Sequence, residues 1–200
     1  YMFYGGGDYL TWKSLLEDSP QKAVILEKLQ RLYHFCSQPH CRHKVIANYF
    51  GQDYEKASCE ACDYCLNELE MVEDPLIVGQ KILSCVYRVH QVSGLGFGAG
   101  HIANVLKGAL TDHVEKWGHR GLSTFGLMAN ESVAFIRYMI EQLVGQDFLR
   151  REGEFSTLSL TDSGRKVLRG ELIPALVKPL VAAKKKEITR RGRQKKEEEW

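Results

Sequence analysis

Four cysteines form the most specific chemical pattern of the sequence. Cys41 stands alone, and Cys59, Cys62 and Cys65 follow at three-residue spacing. Structural zinc sites take four such sulfur donors at about 2.3 Å from the metal, usually from two separate chain segments. Residues i and i+3 share one face of a helical turn, so the three later cysteines can converge. The spacing therefore predicts a closed structural zinc site with these four ligands.

Two other interpretations of these thiols have less support. A disulfide belongs to an oxidising compartment, and the N-terminus has no signal-peptide pattern. A redox Cys-x-x-Cys motif needs no third and fourth thiol. Cys36 also lies close by in sequence, together with His34, His40 and His43. Because Cys36 continues the apolar stripe of the preceding helical segment, we interpret it as a small core residue.

The composition of the 200 residues, with 44% hydrophobic and 26% charged side chains, is typical of a soluble globular protein with one or two small domains. The net charge is only +2, although basic runs occupy residues 184–186 and 190–196. No apolar stretch approaches the roughly 18 residues that a membrane span requires. We expect an intracellular protein with no membrane partner. Because the sequence lacks an initiator Met, we also expect it to be a piece of a longer chain.

Helix signals predict a helical hairpin around the cysteines. Ser19-Pro20 suits the N-cap and first position of a helix that runs to about Ser37. A second helix is predicted from Cys41 to Phe50. Its apolar side chains are expected to be buried, namely Val45, Ile46, Tyr49 and Phe50.

The periodicity changes after an acidic link at residues 66–74, which predicts a second domain. A long helix begins after Asp74-Pro75 and leads into the glycine-rich stretch 94–100. A nucleotide-binding glycine loop follows a strand, whereas this stretch follows a helix, so we interpret it as a turn. Short helices are predicted at 101–106 and 111–117. A longer helix is predicted from an Asn130 cap to Gly145.

A hairpin signal closes this domain. Two short strands, 148–151 and 155–160, surround Glu152-Gly153-Glu154, and Thr161-Asp162 begins a last helix toward Leu168. Helices followed by a small hairpin and a closing helix outline a winged helix. The predicted fold class is mainly α with a small β-hairpin, as a helical zinc-binding module followed by a winged-helix domain.

These residues resemble a known family. The runs Cys41-Arg42-His43, Asn48-Tyr49-Phe50-Gly51 and Cys59-x2-Cys62-Asp63-x-Cys65 are similar to the zinc-binding module of RecQ-family DNA helicases, in which Arg is commoner at the position of His43. Three further runs resemble flanking parts of that family and extend the likeness over about residues 1–170: Phe3-Tyr4-Gly5-x-x-Asp8, Phe97-Gly98-x-Gly100 with Val105-Leu106-Lys107-Gly108, and Leu158-x-Leu160-Thr161-x-x-Gly164.

The resemblance implies the accessory region of a 3′→5′ ATP-dependent DNA helicase of replication, recombination and repair. Its expected parts are the end of the helicase core (1–18), the zinc module (19–72), the winged-helix domain (73–172) and a basic helix or linker tail (173–200). Zinc is the expected cofactor. ATP and Mg²⁺ belong to an upstream RecA-like motor, because this sequence has no Walker A motif and should not be catalytic alone. A bacterial protein of this kind would be cytoplasmic and nucleoid-associated.

The resemblance and the distribution of charge together nominate DNA contacts. The expected partner is duplex, forked or tailed DNA, bound mostly without regard to sequence because phosphate contacts carry no sequence information. The predicted wing is short, which is closer to the bacterial type. The candidate residues are Lys107, Thr111, His113, Lys116, His119 and Arg120 in the helical segment, and Arg150, Arg151 and Phe155 on the wing.

Two other functions remain open from the sequence. A zinc-containing winged-helix transcription regulator would need base-reading side chains and a dimer interface. Asp112, Glu115 and Trp117 are a poor set for base reading. A thiol-based redox or metal sensor would need reactive cysteines, which a closed four-ligand site disfavours.

Overall fold

Three helices make up the N-terminal module in the computed structural model, which describes residues 6–16, 18–153 and 155–179. They are α1 (Gly6–Leu15), α2 (Lys22–Ser37) and α3 (Arg42–Tyr49). The predicted start of α2 was wrong by two residues. Ser19 instead stabilises a preceding turn, in which its carbonyl accepts from the Lys22 N–H at 3.1 Å. Residues 3–5, which begin the first of the runs that resemble flanking parts of the RecQ family, lie outside the described residues.

The apolar side chains of α3 are not buried as predicted. Ile46 and Tyr49 are each 47% exposed, and Phe50 is 74% exposed. Together with Leu32 of α2 they line an open groove of about 680 Å³ between the two helices. Periodicity identifies an apolar face but does not say which partner covers it.

Five helices follow in the second domain: α4 (Pro75–Ser93), α5 (Ala99–Lys107), α6 (Asp112–Lys116), α7 (Val133–Gly145) and α8 (Asp162–Leu168). Thr111 and Thr161 cap α6 and α8 through their hydroxyl groups. The predicted Asn130 cap of α7 was wrong, because the Ser132 hydroxyl accepts from the Phe135 N–H at 3.0 Å. A short 3-10 turn, His119–Gly121, follows α6.

The wing is an antiparallel hairpin of β1 (Leu149–Glu152) and β2 (Thr157–Leu160). Leu149 pairs with Leu160, and Glu152 pairs with Thr157. The glycine-rich turn adds to this sheet, since the Leu158 N–H donates to the Phe97 carbonyl at 2.9 Å. The predicted fold class, mainly α with a small β-hairpin, is confirmed.

One apolar core holds the helices and the wing of the second domain together. Side chains from every layer are at most 1% exposed, including Ile82, Leu106, Ile140, Leu158 and Leu176. Full burial of such a side chain contributes about 1.5–3 kcal/mol. None of the described helices is long and apolar enough to cross a membrane.

An extended segment, residues 174–178, packs across this core and is called the strap below. The Val72 N–H donates to the Leu176 carbonyl at 2.9 Å, and the Lys178 N–H donates to Glu70 at 2.7 Å. On its other side, the Gln142 amide group both donates to and accepts from Val177 at 2.8 Å. Gln146 pairs with Ala175 in the same way. The strap is therefore part of the winged-helix fold, whereas the basic runs beyond it lie outside the described residues.

Candidate functional site

The four predicted cysteines converge at one point. The sulfur atoms of Cys41, Cys59, Cys62 and Cys65 all lie within 4.8 Å of one another. Cys41 caps the N-terminus of α3, and the other three lie on the tight turns that follow it. A tetrahedral zinc ion with bonds of about 2.3 Å would place its sulfurs about 3.8 Å apart. Among the described residues, this is the one cluster of three or more such ligands.

The electrostatics of the cluster fit a divalent cation. The Cys59 N–H donates to the Cys65 sulfur at 3.4 Å and lowers the pKa of that thiol to about 6. Burial acts in the opposite direction at Cys59 and raises the pKa of its thiol to about 11. Four thiolates at this spacing repel one another, and a bound Zn²⁺ removes that penalty. The donor set is thus that of a closed structural zinc site.

A salt bridge behind the sulfurs locks the two halves of this site. Arg42 donates to both carboxylate oxygens of Asp63, at 2.9 and 3.0 Å. The same guanidinium donates to the carbonyls of Phe35 and Gln38 at the end of α2. The pKa of the Asp63 carboxyl is lowered chiefly by its hydrogen bond to Arg42. The pair therefore ties the cysteine turns to both helices.

Cys36 is not a member of the sulfur cluster. It is half-buried on α2, where burial raises the pKa of its thiol. Neither His34, His40 nor His43 contributes to the cluster. The four cysteines that the spacing predicted therefore form the cluster without Cys36 or a histidine.

The zinc module docks on the winged helix through α2 and α7, a contact that the sequence did not reveal. The Tyr33 hydroxyl donates to the Glu141 carboxylate at 2.6 Å, and Arg151 of the wing donates to the other oxygen of the same carboxylate. A Cβ atom on Gly145 would lie only 2.2 Å from the Ser37 hydroxyl. Only glycine therefore allows the two helices to approach this closely.

Most of the predicted DNA-contact residues are exposed. His113, Lys116 and Arg120 lie on the surface of α6 and the 3-10 turn. Arg150 is exposed on the wing, and Phe155 near its tip is 84% exposed.

Three further candidates already have structural partners. Lys107 donates to the Ala129 carbonyl, Thr111 caps α6, and Arg151 is paired with Glu141. Arg151 has an 11% exposed side chain, so it supports the base of the wing more than it faces solvent.

The prediction that His119 contacts DNA was wrong, because its side chain is completely buried. Its Nδ1 lies 2.7 Å from Nε2 of His101, so the N–H of one ring donates a hydrogen bond to the nitrogen of the other. Phe97 packs edge-on against His119 and stacks on His101, with ring centroids 5.0 and 4.3 Å away. Trp117 packs edge-to-face against the same Phe97 ring. Arg120, the residue after His119, is exposed. Sequence alone does not show which of these two side chains faces the core and which faces solvent.

Helix α7, which immediately precedes the wing, is covered on most of its sides. Its core face is buried, Glu141 and Gly145 face α2, and Gln142 holds the strap. Ala134 and Arg137 are its exposed residues. A helix must present a long free face to enter the major groove, so α7 is not available for base reading in this arrangement.

Comparisons with known proteins agree with this geometry. A family model described as RecQ zinc-binding matches residues 6–66, and one described as RQC domain matches residues 72–188. The chain is 33% identical over 188 residues to an ATP-dependent DNA helicase RecQ of Pasteurella multocida, which covers 91% of this chain and 29% of the relative. It is 32% identical over 186 residues to the protein of the same name in Bacillus subtilis, covering 91% and 30%.

A more distant similarity extends to yeast. The chain is 24% identical over 112 residues to the ATP-dependent helicase SGS1 of Saccharomyces cerevisiae, covering 55% of this chain and 8% of the relative. The chain thus spans less than a third of the length of the bacterial relatives that it matches.

Proposed function

Because the chain belongs to the RecQ helicase family, of which it holds the zinc-binding and RQC regions, we propose that it positions duplex or forked DNA for a 3′→5′ ATP-dependent helicase. Cys41, Cys59, Cys62 and Cys65 hold the structural zinc. The ion, when bound, supplies the charge that holds four thiolates together, and it takes no part in ATP hydrolysis. ATP and Mg²⁺ act in an upstream motor. In a bacterium, such a protein works in the cytoplasm at the nucleoid.

The observation that carries this proposal is the covered α7 beside an exposed set of cations. With α7 held by α2 and the strap, the candidate DNA-contact cations that face solvent lie on α6, the 3-10 turn and the wing. Lys116, Arg120 and Arg150 suit phosphate oxygens, and Phe155 offers an aromatic face to a base. Lys107, Thr111, His113 and Arg151 complete the surface from its edges and base. Phosphate contacts and base stacking, without hydrogen bonds to base edges, suit an enzyme that acts on any sequence.

The same observation disfavours a transcription regulator. Such a protein needs base-edge readers on a helix that enters the major groove. Here α7 is mostly covered, and Asp112 and Glu115 of α6 are a poor set for reading base edges.

The upstream motor has a suitable docking surface in the apolar groove of α2 and α3. Leu32, Ile46, Tyr49 and Phe50 are between 47% and 74% exposed there. A contiguous apolar surface of this kind marks a protein contact. The bacterial relatives are longer than this chain by more than twice its length. A motor domain in that additional sequence is the partner that occupies the groove. Phe50→Ser should therefore weaken unwinding by the full-length helicase while leaving the DNA affinity of this chain unchanged.

Fluorescence anisotropy tests the DNA proposal directly. The zinc-loaded chain is titrated with forked, blunt-duplex and single-stranded DNA of random sequence across a range of salt concentrations. We expect preference for duplex or fork and affinity that falls steeply with salt. Lys116→Gln and Arg120→Gln should each reduce the slope of log K against log salt by about 0.9 on duplex. Lys44→Gln is a matched change of an exposed lysine on α3, and it should leave the slope unchanged.

Two outcomes would contradict the proposal. Absence of binding at low salt would make this region a structural or protein-docking element. Tight binding to one sequence alone would favour the transcription regulator.

A further inference from the structure

We propose that the cleft between the zinc module and the base of the wing binds a phosphodiester group of the DNA strand that leaves the wing. This inference rests on the proposed function and adds a contact that the sequence did not nominate. Helices α1 and α2 form one wall, and β1 with the end of α7 forms the other. The volume is about 240 Å³. Sites for whole cofactors begin near 300 Å³, so this cleft suits a single small group.

The charge of the lining favours an anion. Lys13, Arg150 and Arg151 contribute three cations, and Asp147 is the one acidic lining residue. Asp147 lies 3.8 Å from Arg150, a long and exposed contact that neutralises little. Arg151 is neutralised by Glu141 from behind the wall. Lys13 and Arg150 are therefore the cations available to a ligand.

Lys13 is the distinctive group of this cleft. It lies in the last turn of α1, is partly buried, and makes no ion pair with any of the described residues. A lysine held at a concave surface beside a second cation raises the local positive potential, because low-dielectric walls focus the field. His34 also lines the cleft, but burial lowers the pKa of its ring, so it adds little charge at neutral pH.

Neutral donors complete the lining. Tyr9 packs on Tyr33 with ring centroids 5.2 Å apart, and the Tyr33 hydroxyl is already committed to Glu141. Tyr9 and Gln30 thus add a hydroxyl and an amide group beside the cations. Charged and neutral donors together match the several oxygens of a phosphodiester.

The position of the cleft indicates why the ligand is DNA. Arg150 belongs both to the cleft and to the exposed wing surface, so a strand that contacts the wing through Arg150 is already at the edge of the cleft. Since its two walls come from different modules, the cleft exists only while the zinc module is docked on the winged helix. A bound phosphate would join the two modules across that contact.

The test compares salt dependence for Lys13→Gln and Lys44→Gln in the zinc-loaded 200-residue chain. Each variant loses one lysine charge from an exposed or partly exposed helix of the zinc module, and Lys44 is outside the cleft. Anisotropy is measured on blunt duplex, on 3′-tailed and on 5′-tailed DNA. Losing one phosphate contact should reduce the slope of log K against log salt by about 0.9 on duplex or about 0.7 on a single strand. We expect this reduction for Lys13→Gln and an unchanged slope for Lys44→Gln.

Comparison of the three DNA substrates identifies which part of the DNA supplies the phosphate. A loss confined to one tailed DNA assigns the cleft to that single strand, and a loss on all three assigns it to the duplex backbone. Equal behaviour of Lys13→Gln and Lys44→Gln, with normal binding by the unmodified chain, would overturn the inference and leave the proposed function intact. Failure of the unmodified chain to bind any DNA would overturn both.

Discussion

Both carboxylate oxygens of Asp63 accept a hydrogen bond from one partner, the guanidinium of Arg42. Arg42 directly follows Cys41 and Asp63 directly follows Cys62, so their pairing constrains the backbone beside two of the proposed zinc ligands. Removal of a group that supports metal ligands in this way typically costs 10–100-fold in metal affinity. We expect Asp63→Asn to weaken zinc binding by roughly this factor, as measured by competition with a chromophoric chelator.

The matched control is Asp53→Asn in the loop between α3 and the cysteine turns. Asp53 is exposed, so its loss should leave zinc affinity unchanged. Equal affinities for both variants and the unmodified chain would show that the Arg42 pair has no role in holding the metal.

Removal of zinc should unfold one module and spare the other. The cysteine turns bury few apolar side chains of their own, so the free energy of zinc binding is folding free energy there. The core of the winged helix contains no ligand of the cluster. After chelation, hydrogen exchange should show lost protection across residues 41–66 and retained protection in α4, α5 and α7. Return of the protection on adding zinc back is the control, and loss of protection across α4 as well would contradict the prediction.

Gly145→Ala should weaken the contact between the zinc module and the winged helix. The new methyl group would meet the Ser37 hydroxyl at 2.2 Å and the Ser37 Cβ at 3.0 Å, distances that require movement. Overpacking of this kind costs about 1–3 kcal/mol. Thermal unfolding should show the loss, and Ser37→Gly in the same chain should restore part of it.

Gly100→Ala provides the contrasting control for that experiment. Gly100 lies within α5, and a Cβ there would meet nothing within 4 Å. Alanine in a helix is favoured over glycine by roughly 0.5–1 kcal/mol, so this variant should be more stable. Destabilisation of similar size at both glycines would argue against a specific close approach at Gly145.

The His101 and His119 pair should make stability fall with acid. Burial, followed by the charges of His119 and His113, lowers the pKa of His101 to about 4. The unfolded chain therefore binds a proton between about pH 6.5 and 4 that the folded chain does not, and the free energy of unfolding decreases across that window. After allowance for solvent near this partly buried ring, we expect a loss of about 2 kcal/mol.

Urea unfolding at several pH values measures that loss. Acid also releases zinc from thiolates, so the informative quantity is the difference between the unmodified chain and His101→Gln. The difference should shrink as the pH falls toward 4, whereas exposed His90→Gln should follow the unmodified chain. A constant difference at all pH values would show that the pair does not titrate in this window.

Local signals in the sequence predicted much of the fold. Thr111 and Thr161 identified two helix starts because a hydroxyl cap is satisfied by the next turn alone. The cysteine spacing identified the metal cluster because four thiols have few other joint uses. Asn130 and Ser132 compete as caps two positions apart, and propensity does not choose between them.

Non-local contacts could not be predicted in this way. His119 lies between a glycine and an arginine in a polar run, and its burial depends on Phe97 and His101 from another segment. The contact of Tyr33 with Glu141 joins residues 108 positions apart. The same limit applied to the apolar face of α3, which the periodicity predicted to be buried and which no described residue covers.

The strap brings the two ends of the winged-helix domain to a single point. Met71 and Val177 form an antiparallel bridge, and Lys178 pairs with Glu70 at 2.7 Å. The chain that enters the domain and the chain that leaves it therefore run side by side. The entry and exit of the winged-helix domain therefore form a single point of attachment to the rest of the chain. A domain of this shape can be carried within a longer protein without changing the distance between the segments that precede and follow it.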